Sequence, residues 1–438
     1  MSHIKRLFVE ADDRRDMAFD LDHALRYLIA AEGSDLHLKV PAYPLIRLHG
    51  HLEPIPGTER LFPEDTEKAL SEMLIDNEKL EEFDADNEVD FSYAVEGLGR
   101  FRVNAFRQRG SVSIVMRAIP VMIKSVDELG LPDAVTQLAE QERGIILLTG
   151  TTGSGKSTTL AAMIDHMNRT MSKHIVTIED PIEFLHRDRS SIINQREVGA
   201  DTASFKRALR RVLRQDPDTI LIGEMRDEET VHTALSAAET GHLVLSTLHT
   251  VDAPETINRI IDFFPPHQGQ QVRAMLAGTL KGIVSQRLVP TADGTGRVAC
   301  CEILVSTGRV HDMILDPKLT GQLPEVIAEG AYYGMQTFDQ HLLHHLQTGR
   351  INMDDAMRVA TTPHDFKLMV AANSGPDGKL RPPKSPDHVP GVGSQEPRHE
   401  DDGEAPTIER LAPERSYAPV SPGAPSAPPP PSAPPPAF

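Results

Sequence analysis

A chain of 438 residues exceeds what one ordinary core fills, so we expect two folded units. Its formal net charge of −19 at pH 7 argues against a protein that coats nucleic acid, because such binding depends on Lys and Arg neutralising phosphates. The two cysteines, Cys300 and Cys301, are adjacent, which excludes an ordinary disulfide between them and leaves too few thiolates for a zinc module.

The first predicted unit is a small mixed α/β domain over residues 19–120. FDLDHALRYLIAA, residues 19–31, places leucines at helical spacing, and Gly33 follows as a stop signal. LHLKV, PLIRLHG and HLEPI are typical of short strands. A second β-rich stretch, VDFSYAVEGLGRFRVNAFRQRGSVSIVMRAIP, contains a glycine turn at Gly97 and Gly99.

After a connector at residues 121–132, strands alternate with helices over residues 133–372. The apolar runs GIILL, HIVTIED, TILIGEM and HLVLSTLH suit a parallel sheet that is buried on both faces. Helices are predicted at 156–169 and 204–214. The remainder of this unit is predicted to be mostly helical, including VRAMLAGTLKGIVSQRL and FDQHLLHHLQTG.

The ends of the chain differ in character from the two predicted units. Residues 373–438 hold 18 of the 34 prolines and too few apolar side chains to offset their ordering entropy, so we predict a disordered, partly polyproline-like tail. Residues 1–18 are predicted to be an N-terminal extension without the apolar core of a secretory signal. Because no apolar run reaches the roughly 20 residues of a membrane-spanning helix, we expect a cytoplasmic protein with no transmembrane segment.

GTTGSGKS, Gly150 to Ser157, fits the phosphate-binding pattern G-x-x-x-x-G-K-[ST] and lies between a predicted strand and a predicted helix. In such a loop, backbone amides surround the phosphates, Lys156 reaches the β and γ oxygens, and the Ser157 hydroxyl binds Mg²⁺. The predicted ATP-binding residues are Gly150, Thr151, Thr152, Gly153, Ser154, Gly155, Lys156, Ser157 and Thr158.

Acidic residues follow two other predicted strands. Glu224 ends TILIGEM, and Glu179, Asp180 and Glu183 cluster in TIEDPIEF. Because the carboxyl ends of parallel strands lie at one edge of a sheet, Glu179 and Glu224 can both approach the γ-phosphate. Alternatively, these acids cap a turn or lie in solvent.

GTTGSGKSTTL, TIEDPIEF and LRQDPDTILIGEMRDEETVHTALSAAETGHLVLSTLHT occur in this order. In order and spacing they resemble the secretion ATPase superfamily and, within it, the PilT-like retraction ATPases of type IV pili, and the similarity runs from residue 19 to about 370. The resemblance implies an α/β fold in which a RecA-like P-loop ATPase domain follows a small PAS-like α+β domain.

The resemblance also implies roles and partners. Glu179 would be the general base, Glu224 and Ser157 would lie at Mg²⁺, and Arg102 and Arg117 would contact the γ-phosphate from the N-terminal domain. For any one of these arginines, a solvated strand face is the alternative. The expected assembly is a homo-hexamer at the inner face of the cytoplasmic membrane, with the platform protein of the pilus and a second retraction ATPase as partners and no nucleic acid.

One stretch departs from the retraction group. RVHDMILD, Arg309 to Asp316, keeps the apolar spacing of a motif thought to couple the motor to the pilus machinery, but it lacks most of the polar residues. A pilus-assembly or type II secretion ATPase is the first alternative, although the four-cysteine insert of those relatives is absent. A RecA-like DNA translocase and a nucleotide-binding regulator that does not hydrolyse ATP are the others.

ETGHLVLSTLHT places His242 and His249 at opposite ends of one predicted strand. At about 3.3 Å per residue they would lie roughly 20 Å apart, too far to share one phosphate. We predict that His249, at the carboxyl end, senses the γ-phosphate with Thr247 or Thr250, and that His242 is structural. A third group, His341, His344 and His345, is predicted to consist of surface and packing residues rather than a metal site.

Overall fold

The computed structural model describes residues 19–48, 50–120, 122–375 and 380–382. These residues belong to one compact unit, Met1–Pro386. The predicted N-terminal extension and most of the predicted tail lie outside the described residues. Within the range predicted as tail, which begins at residue 373, Ser374 and Leu380 form one isolated antiparallel bridge.

The N-terminal part is a six-stranded antiparallel sheet with the order β3-β2-β1-β6-β5-β4 and three helices packed against it. Its elements are α1 (Leu21–Ala30), β1 (Asp35–Lys39), β2 (Leu45–Leu48), β3 (His51–Pro54), α2 (Pro63–Met73), α3 (Asn77–Asp86), β4 (Glu88–Val95), β5 (Gly99–Gln108) and β6 (Ser111–Ala118). The helix predicted at 19–31 is confirmed as α1, which Asp20 caps by accepting a hydrogen bond from the His23 amide at 3.1 Å.

The larger part is a seven-stranded sheet with the order β13-β12-β7-β11-β10-β8-β9. Its strands are β7 (Gly144–Thr149), β8 (His174–Glu179), β9 (Ile192–Glu197), β10 (Thr219–Ile222), β11 (Leu243–Leu248), β12 (Leu280–Pro290) and β13 (Arg297–Val305). Neighbouring strands run parallel except for β12 and β13, which form an antiparallel pair. The predicted parallel α/β sheet is therefore confirmed.

Helices cover both faces of this sheet. They are α4 (Asp133–Ala139), α5 (Lys156–Thr170), α6 (Phe205–Val212), α7 (Glu228–Glu239), α8 (Ala253–Asp262), α9 (Gly269–Thr279), α10 (Gly308–Leu315), α11 (Leu323–Glu329), α12 (Phe338–Gln347), α13 (Met353–Val359) and α14 (Pro363–Ala372), with short 3₁₀ turns at Pro266–Gln268, Thr320–Gln322 and Ala331–Tyr333. Alternate side chains of β7 enter different cores: Ile145 and Leu147 enter one, and Ile146 and Leu148 enter the other. This explains why its sequence is continuously apolar.

The prediction for VRAMLAGTLKGIVSQRL was wrong in its second half. The helix α9 ends at Thr279, and residues from Leu280 onward form β12, which pairs in parallel with β7. A strand buried on both faces is a continuous apolar run, and such a run has the same sequence signature as a buried helix. The hairpin of β12 and β13 places Gln286 beneath the predicted phosphate loop.

The helices α12, α13 and α14 pack on the outer side of this hairpin around Phe338 and Phe366. None of the helices in the described part of the chain is long and apolar enough to cross a bilayer.

Candidate active site

The predicted phosphate-binding loop joins β7 to α5. Gly150, Gly153 and Gly155 have φ values of +139°, +79° and +93°, a region that residues with a Cβ rarely adopt. A Cβ on Gly150 would also lie 2.4 Å from the backbone oxygen of Gln286. Glycine is thus required for the shape of this cradle, which opens at the N-terminus of a 15-residue helix, where free amides favour an anion.

Lys156 is buried at the start of α5. Its Nζ donates hydrogen bonds to the backbone oxygens of Gly150 at 2.7 Å and Thr151 at 3.1 Å. Burial lowers the pKa of this ammonium, and the nearby carboxylates of Glu224 and Glu183 act in the opposite direction. The two hydrogen bonds hold the ammonium at the loop. Phosphate oxygens are stronger acceptors than the carbonyl oxygens that the ammonium contacts here.

A cavity of about 400 Å³ opens beside the loop. Its walls come from the loop and α5, from the acidic segment after β8, from the segment after β10 and from the end of β11. The predicted site residues that line it are Thr152, Gly153, Gly155, Lys156, Ser157, Thr158, Glu179, Glu224 and His249. Gly150, Thr151 and Ser154 complete the loop behind this surface.

Glu179 is the last residue of β8 and is half-buried at the cavity wall. Its Oε1 accepts hydrogen bonds from the Thr177 hydroxyl at 2.6 Å and from Nε2 of Gln195 at 3.3 Å. Burial raises the pKa of this carboxyl, although both hydrogen bonds act against the shift. A carboxylate that binds a proton more readily than usual is suited to accept one from water.

Glu224 lies two residues beyond the end of β10 and is the centre of a small polar group. Its Oε2 pairs with Nη2 of Arg226 at 2.8 Å, and its Oε1 lies 3.1 Å from Nε2 of His249. Arg226 also lines the cavity, and its pKa is raised by the hydrogen bond and charge of Glu224. The ends of β10 and β11 thus bring an acid, an arginine and a histidine to the same wall.

The two histidines of ETGHLVLSTLHT lie where the strand geometry predicted. His249 follows β11 and faces the cavity, whereas His242 precedes β11, with Nδ1 3.0 Å from the backbone oxygen of Ala237. Thr247 lines the cavity, but the Thr250 hydroxyl is buried against that of Thr256 at 2.7 Å. Thr250 is therefore not available to a phosphate, contrary to one of the two predicted alternatives.

The predicted γ-phosphate arginines do not line the cavity of this chain. Arg117 pairs through Nε with the buried carboxylate of Asp35 at 2.8 Å, and Arg102 is exposed on β5 directly opposite Arg117. Both remain on the N-terminal sheet because β5 and β6 pair from Phe101 to Gln108, a register that includes Arg102 and Arg117. Within this chain, the arginines at the cavity wall are instead Arg226 and Arg297.

The oxygen donors fit Mg²⁺ bound together with a nucleotide. Mg²⁺ is usually held by one or two protein oxygens plus phosphates and water, and Ser157 and Glu224 both line the cavity. Among the described residues, no cluster of three or more His, Cys, Asp or Glu side chains is arranged to hold a metal without such help. The glycine cradle and these two donors together suit a nucleoside triphosphate with its cation.

Several residues at the site were not predicted from the sequence. Arg226 lies two residues after Glu224, and a positive charge so close to a predicted site acid indicates a residue of the same site. Gln195 binds Glu179 from the neighbouring strand, and Gln286 accepts a hydrogen bond from the Thr159 hydroxyl at 2.8 Å. These two contacts join residues 16 and 127 positions apart, so no local pattern indicates them.

The group of histidines on α12 serves packing. His341 and His345 are buried with ring centroids 4.2 Å apart, and His344 is exposed. Nδ1 of His341 accepts a hydrogen bond from the Cys301 amide at 2.9 Å, and Nε2 of His345 lies 3.0 Å from the Ala299 oxygen. Two of the three histidines therefore pack in the interior and His344 lies at the surface, in agreement with the predicted mixture of surface and packing residues.

Comparison with known proteins gives consistent matches over both sheets. The profile of the type II/IV secretion system protein family matches residues 81–355. The type IV pilus retraction ATPase PilT of Pseudomonas aeruginosa is 42% identical over 349 residues, which span 79% of this chain and 100% of that protein. The twitching motility protein of Neisseria gonorrhoeae is 46% identical over 317 residues, which span 72% of this chain and 84% of that protein.

The fold is also similar to solved structures. The crystal structure of the pilus retraction motor PilT with bound ADP matches with a TM-score of 0.74 at 45% identity, covering 80% of this chain and 100% of that one. The similarity therefore includes the N-terminal sheet as well as the sheet that carries the cavity.

Proposed function

The chain belongs to the type II/IV secretion system protein family, and we propose that it is the ATP-hydrolysing motor that powers retraction of type IV pili. The observation that carries this proposal is the cavity in which Lys156, Glu179, Glu224 and His249 meet the glycine cradle, in a chain that spans the whole length of a retraction ATPase. ATP is the substrate, and hydrolysis of its γ-phosphate is the reaction.

Each wall of the cavity has one task in this reaction. The backbone amides of the glycine cradle and the ammonium of Lys156 hold the phosphates. Glu179 accepts a proton from the attacking water, in keeping with its raised pKa. Ser157 and Glu224 would hold Mg²⁺, which would neutralise negative charge on the nucleotide phosphates. Nε2 of His249 lies 3.1 Å from Oε1 of Glu224, and His249 reports whether the γ-phosphate is present.

Positive charge for the transition state comes from two sources in this proposal. Arg226 and Arg297 already line the cavity. Arg102 and Arg117 reach the γ-phosphate only after the N-terminal sheet moves, or they act on the site of a neighbouring subunit. Either route makes hydrolysis depend on the position of the N-terminal domain, which is what a mechanical motor requires.

The proposed assembly is a homo-hexamer that acts at the inner face of the cytoplasmic membrane. Its proposed partners are the inner-membrane platform protein of the pilus and a second retraction ATPase. The relatives named for pilus retraction and twitching motility support this setting. RVHDMILD, Arg309 to Asp316, overlaps α10 and lacks most of the polar residues of the motif in the retraction group. We expect coupling to those partners to differ at this segment.

Deletion of the gene in its native host tests the direction of force. A retraction motor predicts cells that carry more surface pili than the wild type and that fail to twitch, with both defects reversed by the wild-type chain. Bald cells would instead assign the chain to pilus assembly. Unchanged pili together with ATP hydrolysis that DNA stimulates would favour a DNA translocase.

A further inference from the structure

Glu197 is a buried acid outside the cavity. It is the last residue of β9, where it pairs in register with Glu179 at the end of β8. Only 5% of its surface is exposed. The Glu197 amide donates a hydrogen bond to Oδ2 of Asp201 at 2.8 Å, and its carbonyl oxygen accepts one from the Asp201 amide at 2.8 Å. These contacts fix the backbone from which the carboxylate projects.

The carboxylate of Glu197 contacts two different parts of the molecule. On one side, its Oε1 accepts a hydrogen bond from the Ser92 hydroxyl at 2.5 Å and lies 3.5 Å from Nη2 of Arg100. Ser92 is on β4 and Arg100 is on β5, so both belong to the N-terminal sheet. On the other side, its Oε2 accepts a hydrogen bond from the Ile182 amide at 3.1 Å.

Ile182 belongs to the segment that carries the acidic wall of the cavity. Glu179, Asp180 and Pro181 line the cavity immediately before it, and Glu183 and Phe184 line it immediately after. Further hydrogen bonds hold the same segment: the Leu185 amide donates to the Pro120 oxygen at 3.3 Å, and Nε2 of Gln195 donates to the Phe184 oxygen at 2.8 Å. One carboxylate therefore joins the N-terminal sheet to the segment that begins at the proposed general base.

A buried carboxylate of this kind responds strongly to the loss of its partners. Removing one partner of a buried charge leaves that charge uncompensated, which costs more than losing a surface pair. The Arg100 side chain is itself 20% exposed, so the pair is shielded from solvent. Withdrawal of the N-terminal sheet from β9, the opposite of the closing movement proposed for Arg102 and Arg117, would thus take Ser92 and Arg100 away from Glu197 and leave the carboxylate held by the acidic segment alone.

We propose that Glu197 is a positioning residue that makes ATP hydrolysis depend on the placement of the N-terminal domain. With Ser92 and Arg100 in contact, Glu197 holds the Ile182 segment and therefore keeps Glu179 aligned with the attacking water. Without those contacts the cavity still binds nucleotide, because Glu197 does not touch the phosphate loop. This inference rests on the proposed ATPase function and adds the residue through which the two sheets communicate.

The test uses the full chain and the variants Ser92→Ala, Arg100→Gln and Glu197→Gln. Each is expected to lower kcat by about three- to tenfold, because the net contribution of a single hydrogen bond corresponds to a change of this size, while the Kd for a fluorescent ATP analogue changes by less than about twofold. Ser92→Thr keeps the hydroxyl and is expected to retain wild-type turnover. Arg26→Gln is the matched control, because Arg26 pairs with the exposed Asp22 on its own helix, at 2.6 Å.

The double variant of Arg100→Gln with Glu197→Gln separates coupling from general destabilisation. If the two residues act as one unit, the double variant loses no more turnover than the worse single variant. Normal kcat in Ser92→Ala and Arg100→Gln, or equal losses in kcat and nucleotide affinity, would overturn the proposal. A wild-type chain that does not hydrolyse ATP would instead refute the proposed function, so the two failures are distinguishable.

Discussion

Replacing His249 with alanine should slow ATP turnover, whereas the same change at His242 should not. The two residues flank the same strand, so the pair is internally matched. Nε2 of His249 lies 3.1 Å from Oε1 of Glu224. A polar contact of this kind contributes about 1 kcal/mol, because the His249 side chain is 49% exposed. A loss of about 1 kcal/mol in the transition state lowers kcat roughly fivefold.

His242 has a different set of contacts. Its Nδ1 lies 3.0 Å from the Ala237 oxygen and 3.2 Å from the Thr240 hydroxyl, both at the C-terminal end of α7. Loss of one neutral hydrogen bond costs about 1 kcal/mol, which lowers the Tm of a domain of this size by about 2–4 °C. His242→Ala should therefore melt earlier and keep kcat within about twofold of the wild type.

The assay is steady-state ATP hydrolysis at saturating ATP, with thermal melting and hexamer assembly measured on the same samples. Comparing the two variants at equal occupancy of folded, assembled protein removes stability as a cause of lost activity. Equal losses of kcat in both variants, without a defect in melting or assembly, would refute the assignment of separate roles to the two ends of the strand.

Other changes have equally defined outcomes. Glu179→Gln should bind a fluorescent ATP analogue with wild-type affinity and lose at least about a hundredfold in kcat; normal turnover would exclude Glu179 as the base. Burial raises the pKa of Glu302 to about 7, so the stability that the protonated carboxyl contributes is complete below the ordinary carboxyl range and is lost as the pH rises to about 7. In thermal melts, the free energy of unfolding of Glu302→Gln relative to the wild type should rise between pH 5 and pH 8, by at most about 3 kcal/mol. Burial lowers the pKa of His345 to about 4, so the stability that the neutral imidazole contributes is present above the ordinary histidine range and is lost as the pH falls through about 4. The amide of His345→Gln can still donate to the Ala299 oxygen, and the Tm of this variant should fall less than that of the wild type between pH 7.5 and pH 5. A parallel fall of Tm in the two proteins would contradict this.

The parts of the site that the sequence predicted are those with local signals. The phosphate loop is a contiguous motif whose glycines permit positive φ, and Glu179, Glu224 and His249 each end or follow an apolar strand. Parallel pairing then brings strand ends to one edge without any long-range information. The same reasoning separated His242 from His249, because a strand places its two ends far apart.

The parts that could not be predicted depend on contacts between distant segments. Gln195 reaches Glu179 only because β9 lies beside β8, and Glu197 meets Ser92 across 105 positions of sequence. The sequence predicts a helix where β12 forms, because burial on both faces removes the period of two. Arg102 and Arg117 lie away from the cavity of their own chain because the pairing of β5 with β6 keeps them on the N-terminal sheet.

The most direct test of a retraction motor is the behaviour of single pili. In a deletion strain with fluorescently labelled pilin, the wild-type chain and Lys156→Ala are supplied from the same promoter, and the extension and retraction of each pilus are recorded. The Lys156→Ala strain should extend pili at the wild-type frequency and retract few or none, because the phosphate loop has lost its ammonium. Retraction at the wild-type rate in that strain, or loss of extension instead, would contradict the proposed function.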